Sequence, residues 1–396
     1  MRLCEILDVL EDSVNAPQLM NELLLRRLDR LKHKFIAAIG LRLDEEQGRK
    51  LIDNYEKLST THKARLLTGQ QLCEAIQMVP GKAEHLNENN TGLSNRAWLE
   101  LVEELIEDEG VIEAVTVGEK APSPRDSDRE IWGGIGDVKA TSRSGLWVLD
   151  KMPTIGDCIT VDFDSPLAKR VELRSGVLSR ARAEIDEQQK NTIVRKLQEA
   201  LDLIDELAPT YGLLIRNFTR RIIIRKAQGA DASKISSEHV PRQPGSIRLL
   251  NPHLDRQTVA GCAESLLHES IHNFLAAWET AYVNFFDSDD RRRPISPWSG
   301  NAIPNPSLTH AVFVYYACYR LFYRYWKSCR GHQRLMTKDV AKRMNAFASG
   351  FLIEQPLSSL FVSDQKGPEG LADVLLDMQR KVKNNHLSPW TGLEAA

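Results

Sequence analysis

The sequence lacks long apolar runs and closely paired cysteines. No apolar run reaches the ~20 residues that a helix needs to span a bilayer, and Glu5 and Asp8 stand where a secretory signal would be apolar. The six cysteines include no C-x-x-C pair, so neither a disulfide framework nor a cysteine-held zinc site is indicated. Cys262 and Cys318 fall in apolar helical patterns and are expected to be buried free thiols. We therefore expect a cytoplasmic protein that does not enter the membrane.

The chain also lacks an excess of charge of either sign. Its 52 basic and 54 acidic residues give a formal net charge of -2, which offers no electrostatic reason to bind nucleic acid or an anionic membrane. A length of 396 residues with 42% hydrophobic content is that of a soluble globular protein with room for two domains.

The most informative stretch of the sequence is LLHESIHNFL, residues 266–275, which contains the pattern H-E-x-x-H. Apolar residues recur around it at helical spacing, so it is predicted to lie on a buried helix. His268 and His272 are four residues apart, and one helical turn places both imidazoles on the same face. Two imidazoles so placed can bind one metal ion, while Glu269 can act on a metal-bound water or ligand. The alternative is a helix that carries two histidines without a metal, which leaves buried polar groups in need of partners.

Two histidines leave the coordination of a metal incomplete, so a third ligand is expected elsewhere in the sequence. Several downstream side chains can coordinate a metal: His310, His332, His386, Glu279 and Asp287. Glu279 lies seven residues after His272, near the same helical face, and stays open as a competitor. His310 is favoured because it begins a segment, residues 308–320, that is apolar almost all round and so predicts a buried helix. His332 and His386 stand among polar residues and are expected to be exposed.

The N-terminal part of the chain, residues 1–157, is predicted to be mainly helical with short strands. The helical patterns cover residues 17–41, 45–58, 60–77 and 98–107, and the strand patterns cover residues 111–117 and 146–149; a further strand pattern, at residues 158–163, begins the part that follows. Gly133-Gly134-Ile135-Gly136 lacks the spacing of a phosphate-binding loop and is predicted to be a hairpin turn. The helix at residues 17–41 has a basic face, which could hold an acidic leader peptide or could simply be solvated.

The remaining residues, 158–396, are predicted to form the second domain, which carries the metal site. A helix is predicted at residues 179–207, strands at 217–225 and 246–250, and further helices at 340–353 and 371–382. The overall prediction is an α+β fold, predominantly helical. In it the metal helix and a second, buried ligand helix lie beside a small sheet.

Three motifs in this second part together resemble a known family. The run LLHESIH, followed by SPWSG and then LTHAVFVYYACYRLFYRYW, resembles the HExxH-domain proteins found in gene clusters for ribosomally made, post-translationally modified peptides. The resemblance covers roughly residues 164–326. Several members of that family are iron(II)- and 2-oxoglutarate-dependent dioxygenases that hydroxylate a β-carbon of a residue in a precursor peptide. The resemblance implies that His268, His272 and His310 are the iron ligands and that a precursor peptide is the substrate.

The residue types suit this chemistry. Imidazole binds iron(II) as well as zinc, and three neutral histidines leave a dipositive site that a dianionic co-substrate can neutralise. Glu269 would then orient a ligand or serve as a base from outside the metal shell. The distal carboxylate of 2-oxoglutarate needs a cation, preferably an arginine, for which Arg320 and Arg248 are the candidates. Trp298, in the SPWSG loop, could line the substrate pocket. A tryptophan in a loop with proline and glycine is, however, more often a packing residue.

Two other classes of function remain open from the sequence. The first is a zinc metallopeptidase, with Glu269 as general base and Glu279 as third ligand. The second is a non-catalytic partner that binds a peptide for another enzyme, suggested by the long helical N-terminus and its basic face. The sequence does not determine the oligomeric state.

Overall fold

The computed structural model describes residues 2–77, 93–121, 129–143, 146–166, 168, 183–240, 243–286, 293–329, 334–361 and 368–387. The chain forms two compact units that are interleaved along the sequence. The helical unit comprises Met1–Leu24, Lys196–Asn217 and Asp255–Ala396, and the sheet unit comprises Leu25–Arg195 and Phe218–Leu254. This interleaving differs from the contiguous ranges, 1–157 and 158–396, into which the sequence analysis divides the chain.

Twelve α-helices occur in the described part of the chain. They are α1 (Leu3–Leu10), α2 (Ala16–Arg42), α3 (Glu45–Lys57), α4 (Thr60–Thr68), α5 (Gln70–Gln77), α6 (Asn95–Thr116), α7 (Glu187–Leu207), α8 (Pro209–Phe218), α9 (Val259–Ala281), α10 (Asn305–Ser328), α11 (Arg334–Ser349) and α12 (Leu371–Leu387). None of these helices combines the length and the apolar composition that crossing a membrane requires. The predicted fold class, predominantly helical α+β, is confirmed.

The strands of the sheet unit form two small sheets. They are β1 (Glu130–Trp132), β2 (Val138–Arg143), β3 (Leu146–Lys151), β4 (Thr154–Ile155), β5 (Ile159–Asp162), β6 (Arg221–Arg225), β7 (Ser236–His239) and β8 (Ser246–Leu250). The first sheet is the antiparallel meander β1-β2-β3, and the second has the order β4-β5-β6-β8-β7. In the second sheet β5, β6 and β8 are parallel, and the outer strands β4 and β7 are antiparallel to their neighbours. Strands β6 and β8 are buried along their whole length, as expected for the centre of a parallel sheet.

Each unit has its own apolar core. In the sheet unit, α2 to α6 enclose one core, in which Phe35, Tyr55 and Trp98 are fully buried. In the helical unit, α9 and α10 are buried along most of their length and form the centre of the packing. Burial of such helices from most sides explains why their sequences are apolar almost all round.

The strand predicted at residues 111–117 is wrong. Residues 111–116 form the last turns of α6, which runs from Asn95 to Thr116, and Val117 is its C-cap. The alternation of apolar residues there resembles a strand, but Val102, Leu105, Ile106 and Ile112 also continue a stripe at helical spacing, and burial of that stripe decides the outcome.

The helix predicted at residues 60–77 is divided into α4 and α5 at Gly69. The main-chain N–H of Gln70 donates to the carbonyl of Gly134 at 3.2 Å, in the turn between β1 and β2. A β-carbon on Gly69 would lie 3.0 Å from that carbonyl oxygen, so the close approach requires glycine. The antiparallel pairing of β1 with β2 confirms the predicted hairpin turn between them, in which Gly136 adopts a φ of 72°.

The other predicted elements are confirmed with shifted ends. Helix α7 begins only at Glu187, residues 183–186 before it form neither helix nor strand, and the predicted residues 179–182 lie outside the described part of the chain. Pro209 follows the end of α7 and, as predicted, stops it, but it also begins α8, as proline at a first helical position can.

Candidate metal centre

The H-E-x-x-H pattern lies in the middle of α9, in the helical unit. Thr258 caps the start of this helix by accepting a hydrogen bond from the N–H of Gly261 at 3.1 Å. Leu266, Leu267 and Ile271 are fully buried on either side of the pattern. The predicted buried helix is therefore present, and its position is fixed by apolar packing rather than by the polar residues themselves.

His268 and His272 project from the same face of α9, as the spacing predicts. Their ring centroids are 5.2 Å apart. With Glu269 they form a cluster whose possible ligand atoms all lie within 4.8 Å of one another. Glu269 is only 3% exposed, and its Oε1 lies 4.0 Å from Nε2 of His268. The carboxylate is thus close enough to act on a group bound by the histidines.

The side chain of His268 is 26% exposed. Burial of the rest of the ring lowers the pKa of His268 to about 4. The imidazole is therefore neutral at physiological pH, which is the form that binds a metal.

His310 comes from α10, 38 residues after His272, and lies directly against it. The Nδ1 atoms of His272 and His310 are 3.2 Å apart, and their rings stack with centroids separated by 5.5 Å. The helix begins at Asn305, after Pro304, which places His310 at its second turn with only 9% exposure. The structure thus places the predicted third histidine against His272, although its role as a ligand stays a prediction. Among the described residues, the group whose ligand atoms all lie within 4.8 Å of one another consists of His268, Glu269 and His272 and does not include His310.

The separation of the two Nδ1 atoms fits a shared ion. Two nitrogens bound to one ion at about 2.1 Å and at angles between about 90° and 109° stand roughly 3.0–3.4 Å apart. The observed 3.2 Å falls within this range. A donor set of imidazoles with a neighbouring carboxylate suits iron(II) or zinc.

The competing ligand, Glu279, contacts His310 from the other side. Its Oε2 lies 3.2 Å from Nε2 of His310, and its Oε1 accepts a hydrogen bond from the main-chain N–H of Phe285 at 3.2 Å. The ring of Phe285 is buried and packs edge-on against His310, with centroids 5.8 Å apart. Sequence reasoning overlooked Phe285, since nothing in the spacing of the turn after α9 points to it.

Trp298, from the SPWSG loop, is held by packing contacts. Its indole N–H donates to the carbonyl of Phe347 at 2.9 Å, and its ring stacks on Tyr315 with centroids 4.6 Å apart. A β-carbon added to Gly350 would lie 2.2 Å from this indole. Tyr315 in turn contacts His268 edge-on, with centroids 5.9 Å apart. The loop therefore supports one wall of the histidine cluster through Tyr315, a residue that the sequence analysis did not single out.

Arg320, one of the two predicted co-substrate arginines, is engaged in a different network. Its Nη2 donates to the carbonyl of Glu11 at 3.1 Å, and its guanidinium lies over the ring of Tyr316. The hydroxyl of Tyr316 donates to the Glu11 carboxylate at 2.7 Å. These contacts join α10 to the end of α1, and they explain why Arg320 is partly buried.

Arg248, the other predicted arginine, lies in β8 of the sheet unit. It is 3% exposed and forms an ion pair with Glu238 of the neighbouring strand β7. The structure thus places neither arginine in a described contact with the histidine cluster.

A third arginine, Arg343 of α11, approaches the face of α9 that carries the histidines. It forms an ion pair with Glu264, which precedes His268 by four residues and therefore shares its face. A β-carbon on Gly261, another residue of α9, would lie 3.2 Å from Nη2 of Arg343. No pattern in the sequence points to Arg343, because its contact with Glu264 joins two helices that are far apart along the chain.

The remaining ligand candidates do not join the cluster. The expectation that His386 is exposed is wrong. The residue is 8% exposed and its ring packs edge-on against Tyr319, and burial lowers the pKa of His386. His386 ends an amphipathic helix, α12, whose packing covers it although its neighbours in sequence are polar. His332 and Asp287 lie outside the described residues.

No protein-family model matches this chain, and no curated protein matches it. The functional assignment consequently depends on the geometry of the histidine cluster and on the sequence motifs.

Proposed function

We propose that this protein is an iron(II)- and 2-oxoglutarate-dependent dioxygenase that hydroxylates a β-carbon of a residue in a ribosomally made precursor peptide. The observation that supports the proposal best is the contact between His310 and His272, with Nδ1 atoms 3.2 Å apart, beside the pair formed with His268. Three imidazoles on one side of an ion leave the other positions open, as an oxygenase requires. A precursor peptide as substrate is inferred from the family resemblance of the motifs.

Each residue of the candidate site has a distinct role in this proposal. His268, His272 and His310 would hold the iron, which supplies the binding and activation of dioxygen when 2-oxoglutarate is bound. Glu269, buried beside His268, would orient or deprotonate a group next to the metal. Tyr315 and the Trp298 loop would exclude water on the side of His268.

Arg343 is our preferred candidate for the cation that binds the distal carboxylate of 2-oxoglutarate. It is 22% exposed, so a small anion can reach it, and its partner Glu264 lies one helical turn from His268. Arg320 stays a weaker candidate because it is about 15 Å of helix rise from His310 and its guanidinium donates to the carbonyl of Glu11. Arg248 stays a weaker candidate because it is only 3% exposed, so a small anion has little access to it.

A zinc metallopeptidase is the alternative that the site also supports. The buried Glu269 beside two histidines is the arrangement in which a carboxylate acts as general base on a metal-bound water. In that case the masses of the peptide fragments would sum to the mass of the substrate plus one water. A hydroxylase would instead add one oxygen atom to an intact peptide. A non-catalytic peptide-binding partner would bind its peptide equally well without a metal.

The first experiment needs no peptide. The protein is loaded with iron(II) in the absence of oxygen, 2-oxoglutarate is added, and the visible charge-transfer band of the bidentate complex is recorded. The proposal expects a band that is lost in His310→Ala and retained in His33→Ala, since the side chain of His33 is 73% exposed and serves as control. A tightly bound zinc with no band would instead favour the peptidase.

A further inference from the structure

Glu279 is placed to orient His310 rather than to bind the metal itself. Its carboxylate has one oxygen toward the imidazole of His310 and the other toward the N–H of Phe285, both at 3.2 Å. Both oxygens are thus already engaged on the side of His310 that faces away from His272. A carboxylate in this position matches the usual second partner of a metal-binding histidine.

The contact also decides which nitrogen of His310 carries the proton. A carboxylate only accepts hydrogen bonds, so Nε2 of His310 must be the donor. In a neutral imidazole the other nitrogen, Nδ1, then bears the lone pair. This is the nitrogen that lies 3.2 Å from Nδ1 of His272, on the side where a shared ion would sit.

Phe285 completes the arrangement with two separate contacts. Its main-chain N–H holds Glu279, while its buried ring packs edge-on against the imidazole of His310. The ring is itself stacked between Trp278 and Phe313, with centroid separations of 4.8 and 5.8 Å. Neither the carboxylate nor the imidazole can turn easily while this aromatic packing is in place.

From these contacts we infer that Glu279 and Phe285 form a clamp that orients His310, fixing the tautomer in which Nδ1 is the metal-binding nitrogen. Glu279 is then a positioning residue and not the third ligand of a peptidase. The inference rests on the metal-binding part of the proposed function and is independent of 2-oxoglutarate and of the peptide.

The tautomer can be measured directly on the metal-free protein. Two-bond ¹H–¹⁵N correlation spectra of ¹⁵N-histidine-labelled protein, recorded at an alkaline pH, distinguish the Nε2–H from the Nδ1–H form, and the His310→Ala variant assigns the signal. We expect the Nε2–H form at His310 in the natural protein and a mixture of both forms in Glu279→Ala. The Nδ1–H form in the natural protein would overturn the inference.

Zinc affinity, measured by competition with a coloured chelator, gives the second readout. Loss of a partner that orients a metal-bound histidine typically costs 10–100-fold in affinity, so we expect roughly this weakening in Glu279→Ala and in the nearly isosteric Glu279→Gln. Phe285→Leu, which keeps the main-chain N–H, should weaken binding less. Thr280→Ala is the matched control, because Thr280 is adjacent to Glu279 on α9 and its hydroxyl donates to the carbonyl of Ala276 within the same helix.

X-ray absorption of the zinc-loaded proteins then identifies the ligands. The inference expects three imidazoles in both the natural protein and Glu279→Gln, and two in His310→Ala. Loss of an oxygen ligand in Glu279→Gln, or zinc affinity within twofold of the natural protein, would refute it. If the natural protein binds no zinc, the inference and the metal-dependent function fail together; if zinc binds as expected but the 2-oxoglutarate band is absent, only the oxygenase proposal fails.

Discussion

His272 and His310 are 38 residues apart in sequence, and their Nδ1 atoms are 3.2 Å apart in the fold. The first lies on α9 and the second on α10, two helices whose apolar surfaces bury each other. Apolar packing therefore sets the distance between two polar groups, and the pair is available to a metal without further rearrangement of the main chain.

Metal binding should stabilise the protein through this pair. A ligand that binds only the folded state at 100 times its dissociation constant adds about 2.7 kcal/mol, so zinc should raise the melting temperature by several degrees. We expect His310→Ala and His268→Ala to abolish most of this rise and His33→Ala to retain it. Differential scanning fluorimetry with and without zinc, and with a chelator, provides the measurement. An undiminished rise in His310→Ala would remove His310 from the ligand set.

Arg343 and Arg320 should respond differently to substitution. If Arg343 binds the distal carboxylate of 2-oxoglutarate, Arg343→Ala should raise the concentration for half-maximal charge-transfer absorbance about 10–100-fold, the cost of a charge-assisted bond. Arg320→Ala should leave this concentration unchanged and lower the melting temperature, because Arg320 joins α10 to Glu11. If Arg320→Ala raised this concentration and Arg343→Ala did not, Arg320 would be the residue that binds the distal carboxylate.

Gly350 should not tolerate a side chain. A β-carbon at Gly350 would lie 2.2 Å from the indole of Trp298 and would displace it from Tyr315. We expect Gly350→Ala to destabilise the fold by about 1–3 kcal/mol, the usual cost of overpacking. Gly40→Ala is the matched control: Gly40 lies within α2 with open space around its α-carbon, so alanine should be neutral or stabilising. Urea denaturation of both variants tests this contrast.

Asp108 should make the fold less stable as the pH rises. Burial raises the pKa of Asp108 to about 6, against the attraction of Arg129 at 2.6 Å. The folded state thus holds a proton that the unfolded state loses near pH 3.8, so stability falls as the pH rises from about 4 to about 6. The loss is at most roughly 3 kcal/mol.

Replacing Asp108 by Asn should remove this loss. The variant should gain stability relative to the natural protein at pH 7.5 but not at pH 4, as measured by urea denaturation. Glu104→Gln is the control, because Glu104 also faces Arg129 but is 61% exposed. Equal effects of Asp108→Asn at both pH values would contradict the burial argument.

Local patterns in the sequence determined most of the helices and strands of this protein and the placement of two histidines on one helical face. The four-residue spacing of His268 and His272 puts both on one face of any helix, and the apolar residues around them require that helix to be buried. The same reasoning predicts the buried helix that carries His310, the central strands β6 and β8, and the helical character of the N-terminal region. These features depend on periodicity within one element, which the sequence displays directly.

Contacts between distant elements were decided only by the tertiary structure. Because of packing, residues 111–116 are helical and form the end of α6. The helix predicted at residues 60–77 is interrupted at Gly69, where the chain contacts the turn at Gly134. Packing also placed Arg320 against Glu11, brought Arg343 to the face of α9 that carries His268, and set Glu279 behind His310. No spacing rule predicts such contacts, because they depend on how apolar surfaces from remote segments fit together, and the polar side chains meet where that fit leaves them.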